Sequence, residues 1–99
     1  MPRPCIQRRI RGRPNAYYFK PAGVPLNTLL EIVLTLPEFE AIRLIDSEEI
    51  PQEEASKKMQ ISQPTLSRIL KSARKKIATA IVKGNAIKIE TDFTKTLLN

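Results

Sequence analysis

The apolar positions of the chain change period several times, and each change marks a structural element. The longest regular stretch is Leu66, Ile69, Leu70, Ala73, Ile77, Ala80 and Ile81, which recur at the three- and four-residue spacing of an amphipathic helix. Ser62 stands where such a helix needs an N-cap, Pro64 is tolerated in its first turn, and Gly84 is a stop signal. The spacing therefore predicts a helix from 62 to about 83. A shorter helix precedes it: Pro51 opens it, Glu53 and Glu54 lie in its first turn, Lys57 and Lys58 in its last, and Ala55 and Met59 face inward. Gln60 and Ile61 form the turn between the two. Further upstream, Thr35-Leu36-Pro37-Glu38 has the form of a capping box, so a third helix starts there. Phe39, Ile42, Leu44 and Ile45 carry it to about residue 46.

Outside the helices the period is closer to two. Residues 86–90 alternate, Ile87 and Ile89 on one side against Lys88 and Glu90 on the other, which predicts a short C-terminal strand. It would pair with an N-terminal strand or with a second copy of the chain. Residues 26–34 read as one helical turn followed by an extended Ile32-Val33-Leu34. The first twenty-five residues carry Pro2, Pro4, Gly12, Pro14, Pro21, Gly23 and Pro25, a density that favours an extended arm. Residues 6–10 could form a strand within it, and Tyr17, Tyr18 and Phe19 would pin the arm to the core. The expected organisation is an arm at 1–25, a domain at 26–90 and a tail at 91–99.

Composition narrows the function. The 99 residues are 41% hydrophobic and 27% charged, as in a globular chain. No apolar run approaches the ~20 residues that span a bilayer, and the basic N-terminus has no apolar stretch behind it, so a cytoplasmic protein is expected. Cys5 is the single cysteine and there is no histidine. That excludes an intrachain disulfide, multi-cysteine zinc sites and histidine-based catalysis. No nucleophile–base pair can be assembled, so neither an enzyme nor a cofactor is expected. Neighbouring arginines would lower the pKa of Cys5 if it served as a reactive thiol.

The net charge of +7 is unevenly spread. Arg3, Arg8, Arg9, Arg11, Arg13 and Lys20 occupy the first twenty residues without a carboxylate, and residues 21–50 set six carboxylates against Arg43 alone. Residues 55–89 then hold nine lysines and arginines and no acid. A solvated helix usually mixes signs, so one cationic surface facing a polyanion is the favoured reading over a merely solvated basic face.

The two helices around the Gln60 turn supply a form for that surface. A helix-turn-helix needs small residues where the helices cross, here Ala55 and Ser56, a tight turn, and apolar residues that lock the angle, here Met59, Ile61, Leu66 and Ile69. The front of the second helix would then meet base edges. Gln63, Ser67, Arg68 and Lys71 are the base-reading candidates, Arg68 suited to guanine and Gln63 to adenine. Ser62, Thr65, Arg74, Lys75 and Lys76 are candidates for the DNA backbone. In the arm, Arg11-Gly12-Arg13-Pro14 resembles an AT-hook. Arg3, Arg8, Arg9, Arg11 and Arg13 would enter the minor groove or follow phosphates, or the segment is a structural turn.

These residues also carry a resemblance. The chain is similar to an uncharacterised prokaryotic family of short predicted DNA-binding proteins, whose helix-turn-helix resembles region 4 of sigma-70 factors. The matching stretches are Pro2-Arg3-Pro4, Arg8-Arg9-Ile10, Tyr18-Phe19-Lys20-Pro21-Ala22-Gly23-Val24-Pro25-Leu26 and Leu34-Thr35-Leu36-Pro37-Glu38-Phe39-Glu40-Ala41-Ile42-Arg43-Leu44. Gln52-Glu53-Glu54-Ala55, Ile61-Ser62-Gln63-Pro64-Thr65-Leu66-Ser67-Arg68-Ile69-Leu70 and Ala73-Arg74-Lys75-Lys76 continue it. Three positions depart from the usual pattern: Gln60 where glycine is common, Pro51 for a Ser-like cap, and Gln63 where arginine is common.

The expectation is a mostly α, sigma-70 region 4-like helix-turn-helix with a three-helix core, an extended basic arm and a short C-terminal strand. It would act as a sequence-specific transcriptional regulator on double-stranded DNA. A helix-turn-helix protein-interaction module, for example against RNA polymerase through the acidic helix at 38–46, and an RNA-binding protein are the alternatives. Operator dyads and a small core both favour a homodimer.

Overall fold

The computed structural model describes residues 16–90. The strand expected at 6–10, Cys5, the arm arginines and the 91–99 tail lie outside the described residues. Within them the order is β1 (Tyr18–Phe19), a 3-10 turn (Leu26–Thr28), β2 (Glu31–Leu34), α1 (Leu36–Ile42), α2 (Gln52–Met59), α3 (Gln63–Lys83) and β3 (Ala86–Ile89). A wider π-type turn, Arg43–Ser47, continues α1.

Each helix begins where the side-chain chemistry dictates. At α1 the Thr35 hydroxyl accepts from the Glu38 N–H while the Glu38 carboxylate accepts from the Thr35 N–H at 2.9 Å, a complete capping box. At α3 the Ser62 hydroxyl accepts from the Thr65 N–H at 3.3 Å, and Gly84 closes the helix at φ +70°. Pro51 precedes α2 with no side-chain cap. Its extended ψ and the two glutamates that follow set the start instead.

The joint between α2 and α3 turns on Gln60, which takes φ +60° and closes α2 with N–H bonds back to Ser56 and Lys57. A side chain in this left-handed region costs about 1 kcal/mol, which glycine avoids. Gln60→Gly is therefore expected to raise folding stability by up to about 1 kcal/mol, measured by urea denaturation. A fall in the denaturation midpoint would contradict it.

The single C-terminal strand of the sequence reading is corrected: a three-stranded sheet forms, in the order β1-β3-β2. β3 is its centre, antiparallel to Tyr18–Phe19 and parallel to Glu31–Leu34. Both neighbours come from its own chain, one of them a segment read as arm. The parallel pair is possible because three helices separate β2 from β3, giving the long crossover that parallel strands need.

The core has two parts. Ala41, Leu44, Ala55, Leu66 and Leu70 pack the helices together, with Met59, Ile61 and Ile69 around them. Leu34, Ala73 and Ile89 join the sheet to α3, with Tyr17, Phe39, Ile77 and Ile87 packed on. Ile42 touches both parts. Burying Leu66 and Leu70 fully stabilises the fold by about 2–3 kcal/mol each. Ala55 is fully buried in the part that α2 and α3 share, which lets the short helix lie close against the long one.

One position of the expected stripe faces solvent. Ile81 is 74% exposed, although it follows partly buried Ile77 by four residues, the spacing of a single helical face. Val82 beside it is 80% exposed.

Candidate nucleic-acid interface

α3 divides by angle around its axis. Leu66, Leu70, Ala73 and Ala80 are buried on one side. Gln63, Pro64, Ser67, Arg68, Lys71 and Lys75 are all exposed on the other. Gln63, Ser67 and Lys71 are spaced by four, and Arg68, Lys71 and Lys75 by three and four, so they form adjacent rows of one face. The four base-reading candidates are thus brought together on the N-terminal half of α3. Among the described residues, no carboxylate pairs with Arg68, Lys71 or Lys75.

The residues expected at the DNA backbone fare differently. The Ser62 hydroxyl caps α3 and donates to the Thr65 hydroxyl at 2.9 Å, and Arg68 reaches that same Thr65 oxygen at 3.4 Å. Ser62 and Thr65 therefore order the helix start and orient Arg68. Arg74 is half-exposed and grips Asp46 through two bonds, at 2.6 and 3.1 Å. The Asp46 hydrogen bond raises its pKa above the ordinary guanidinium value. An ion pair this exposed contributes little to stability, yet it places a carboxylate beside one of the helix's cations.

Lys76 is engaged within the fold. It was expected to anchor DNA, but its ammonium donates to the Glu38 carboxylate at 2.8 Å and to the Val33 carbonyl at 2.7 Å. It points away from the row of free cations and ties α3 to α1 and to the outer edge of β2. Glu38 is the hub of this cluster, only 7% exposed, and also accepts from the Ser72 hydroxyl at 2.6 Å. Burial alone would push the Glu38 carboxyl up. The bonds from Lys76, Ser72 and the Thr35 N–H, with the Lys76 charge, outweigh burial and hold it below its ordinary value.

The capping role of Glu38 was legible in the sequence, but its partnership with Lys76, thirty-eight residues away, was not. The only hint was position: Ser72 and Lys76 are spaced by four, beside the buried stripe rather than opposite it. Arg43 is likewise held, by Glu40 at 2.8 Å and by Glu48, so much of the acidity of the α1 surface is internally paired. Among the described residues no helix is long and apolar enough to cross a membrane.

The molecule is thus a small, mostly helical domain, with a three-stranded sheet behind a long helix that presents a cationic face. The chain belongs to the family described as "Protein of unknown function DUF134", whose model matches residues 1–96. UPF0251 protein TTE1845 of Caldanaerobacter subterraneus subsp. tengcongensis is 53% identical over 90 residues, covering 91% of this chain and 76% of that one. A UPF0251 protein of Moorella thermoacetica is 53% identical over 93 residues, covering 94% and 62%. UPF0251 protein DET0218 of Dehalococcoides mccartyi is 50% identical over 90 residues, covering 91% and 77%. No solved structure gives a significant match.

Proposed function

We propose that this chain is a sequence-specific duplex-DNA-binding protein acting as a transcriptional regulator. In this reading α2, the Gln60 turn and α3 work as a helix-turn-helix similar to region 4 of sigma-70 factors. The observation that carries it is the exposed face of α3, where Gln63, Ser67, Arg68, Lys71 and Lys75 lie together without an acidic neighbour on that helix. Arg68 offers a two-pronged donor to guanine and Gln63 to adenine. Lys75, further along the helix, is placed for phosphate, and the capped N-terminus of α3 favours an anion. The basic arm, Arg3 to Arg13, would follow an adjacent groove.

Selection of binding sites from random duplexes, followed by anisotropy titration, tests the reading. With about five phosphates neutralised per protomer, log K should fall with log salt at a slope of about −4.5. Absence of duplex binding at low salt would remove the proposal. Asp46→Asn probes the Arg74 pair: releasing that guanidinium should tighten binding to all sequences alike and steepen the slope to about −5.4. An unchanged slope would mean that Arg74 never reaches phosphate.

A further inference from the structure

A wide apolar groove lies between the sheet and the helices, and the DNA-binding reading makes no use of it. Its walls are Phe19, Ile87 and Ile89 of the sheet, Phe39 and Ile42 of α1 and Ile77 of α3, around a volume of about 630 Å³. Arg43 and Ser47 are its polar lining residues, and the Arg43 charge is already met by Glu40 and Glu48. The described residues leave this side of the core open, with Phe19 52% exposed.

The chain leaves the sheet beside this groove. Ile89, the last residue of β3, lines it. Glu90 is held there from both ends: its N–H donates to the Leu34 carbonyl at 2.9 Å, and its carboxylate accepts from the Leu36 N–H at 3.2 Å. Residues 91–99 thus start from a fixed point against apolar walls. At ~3.3 Å per extended residue, Phe93 can lie up to about 10 Å from Glu90 and Leu97 up to about 23 Å, so both are within reach of the groove.

We infer that residues 91–99 of the same chain cover this groove with Phe93, Leu97 and Leu98. These three make up a third of the segment, and its two charged side chains, Asp92 and Lys95, cancel. Laying them on the groove removes apolar surface from water on both sides of the contact. Charge separates this segment from the other occupants. The arm also adjoins the groove, through Ala16, but residues 8–15 carry Arg8, Arg9, Arg11 and Arg13 around a single large apolar residue, Ile10. Burying those guanidinium groups beside Arg43 with no carboxylate of their own is costly. A second copy would bring a further net charge of +7. The inference does not depend on the DNA-binding reading, because the part of α3 it uses, Ile77, packs toward the sheet.

The test uses the full chain. The protein contains no tryptophan, so Phe93→Trp supplies a single fluorescent reporter. Its emission is expected to be blue-shifted, and shielded from acrylamide, relative to the same variant in concentrated urea, at every protein concentration. Phe19→Asp on the groove wall should return the emission to the red while circular dichroism shows the helices intact. Phe93→Ala should lower the melting temperature by about 8 °C or more and leave affinity for the selected duplex unchanged below it. An emission in the folded protein equal to that in urea would overturn the inference, as would a blue shift that persists in Phe19→Asp. So would a shift that appears only as the protein dimerises in sedimentation, which would seat a second copy's segment in the groove. A melting temperature lowered by Ile10→Asp and not by Phe93→Ala would give the groove to the arm instead. Each of these results leaves the DNA-binding reading standing, and absence of duplex binding by the wild type leaves this inference standing.

Discussion

Replacing Glu38 by alanine is expected to lower folding stability by about 3 kcal/mol, the largest loss expected from any polar residue described in this fold. The side chain closes the capping box of α1 and receives Ser72 and Lys76 from α3. Its removal leaves the half-buried Lys76 ammonium with the Val33 carbonyl as its one remaining partner among the described residues. For a domain of this size the melting temperature should fall by roughly 12–24 °C. Glu38→Ala combined with Lys76→Met should recover part of the loss, because the stranded charge goes with its partner. Calorimetry of the two variants checks both statements, and a fall below about 1 kcal/mol for Glu38→Ala would show that the cluster is incidental.

The same residue sets a pH dependence. Its carboxyl titrates below the ordinary value of 4.5 in the folded protein. Its contribution is therefore complete above that value and is lost as pH falls from there through the folded value. Denaturant titrations below pH 5 should show this acid limb in the wild type, and a shallower one in Glu38→Gln.

The second large effect concerns binding. Arg68→Ala should weaken the selected duplex by about 1–3 kcal/mol and relax preference at one base position. Its side chain is exposed on α3 and, among the described residues, is steadied only by the Thr65 hydroxyl at 3.4 Å, so the fold should not suffer. Lys75→Ala should weaken all sequences equally and reduce the salt slope by about 0.9. If Arg68→Ala behaved like Lys75→Ala, Arg68 would be a phosphate contact and not a base reader.

The sequence was most informative where the determinants are local. The Thr35–Glu38 capping box, the Ser62 cap and the Gly84 stop each depend on residues within four positions of one another, and all three stand in the structure as expected. The buried stripe of α3 was also legible, because helical periodicity is a property of consecutive residues. It failed at Ile81, which keeps the spacing of the stripe yet is left exposed, because burial depends on what packs against that turn and not on spacing.

Of the cationic surface, the chain by itself determined that Arg68, Lys71 and Lys75 share an acid-free helical face, since spacing alone places them there. Only the tertiary structure decided which neighbouring cations stay outside that face. Lys76 is taken up by Glu38 and Val33, and Arg74 is shared with Asp46, across separations of 28 to 43 residues. Such partners are chosen by how helices and strands pack, and no local pattern encodes that choice. The sheet is the same case: a two-residue strand such as Tyr18–Phe19 has too little period to read, and it exists because β3 offers it an edge.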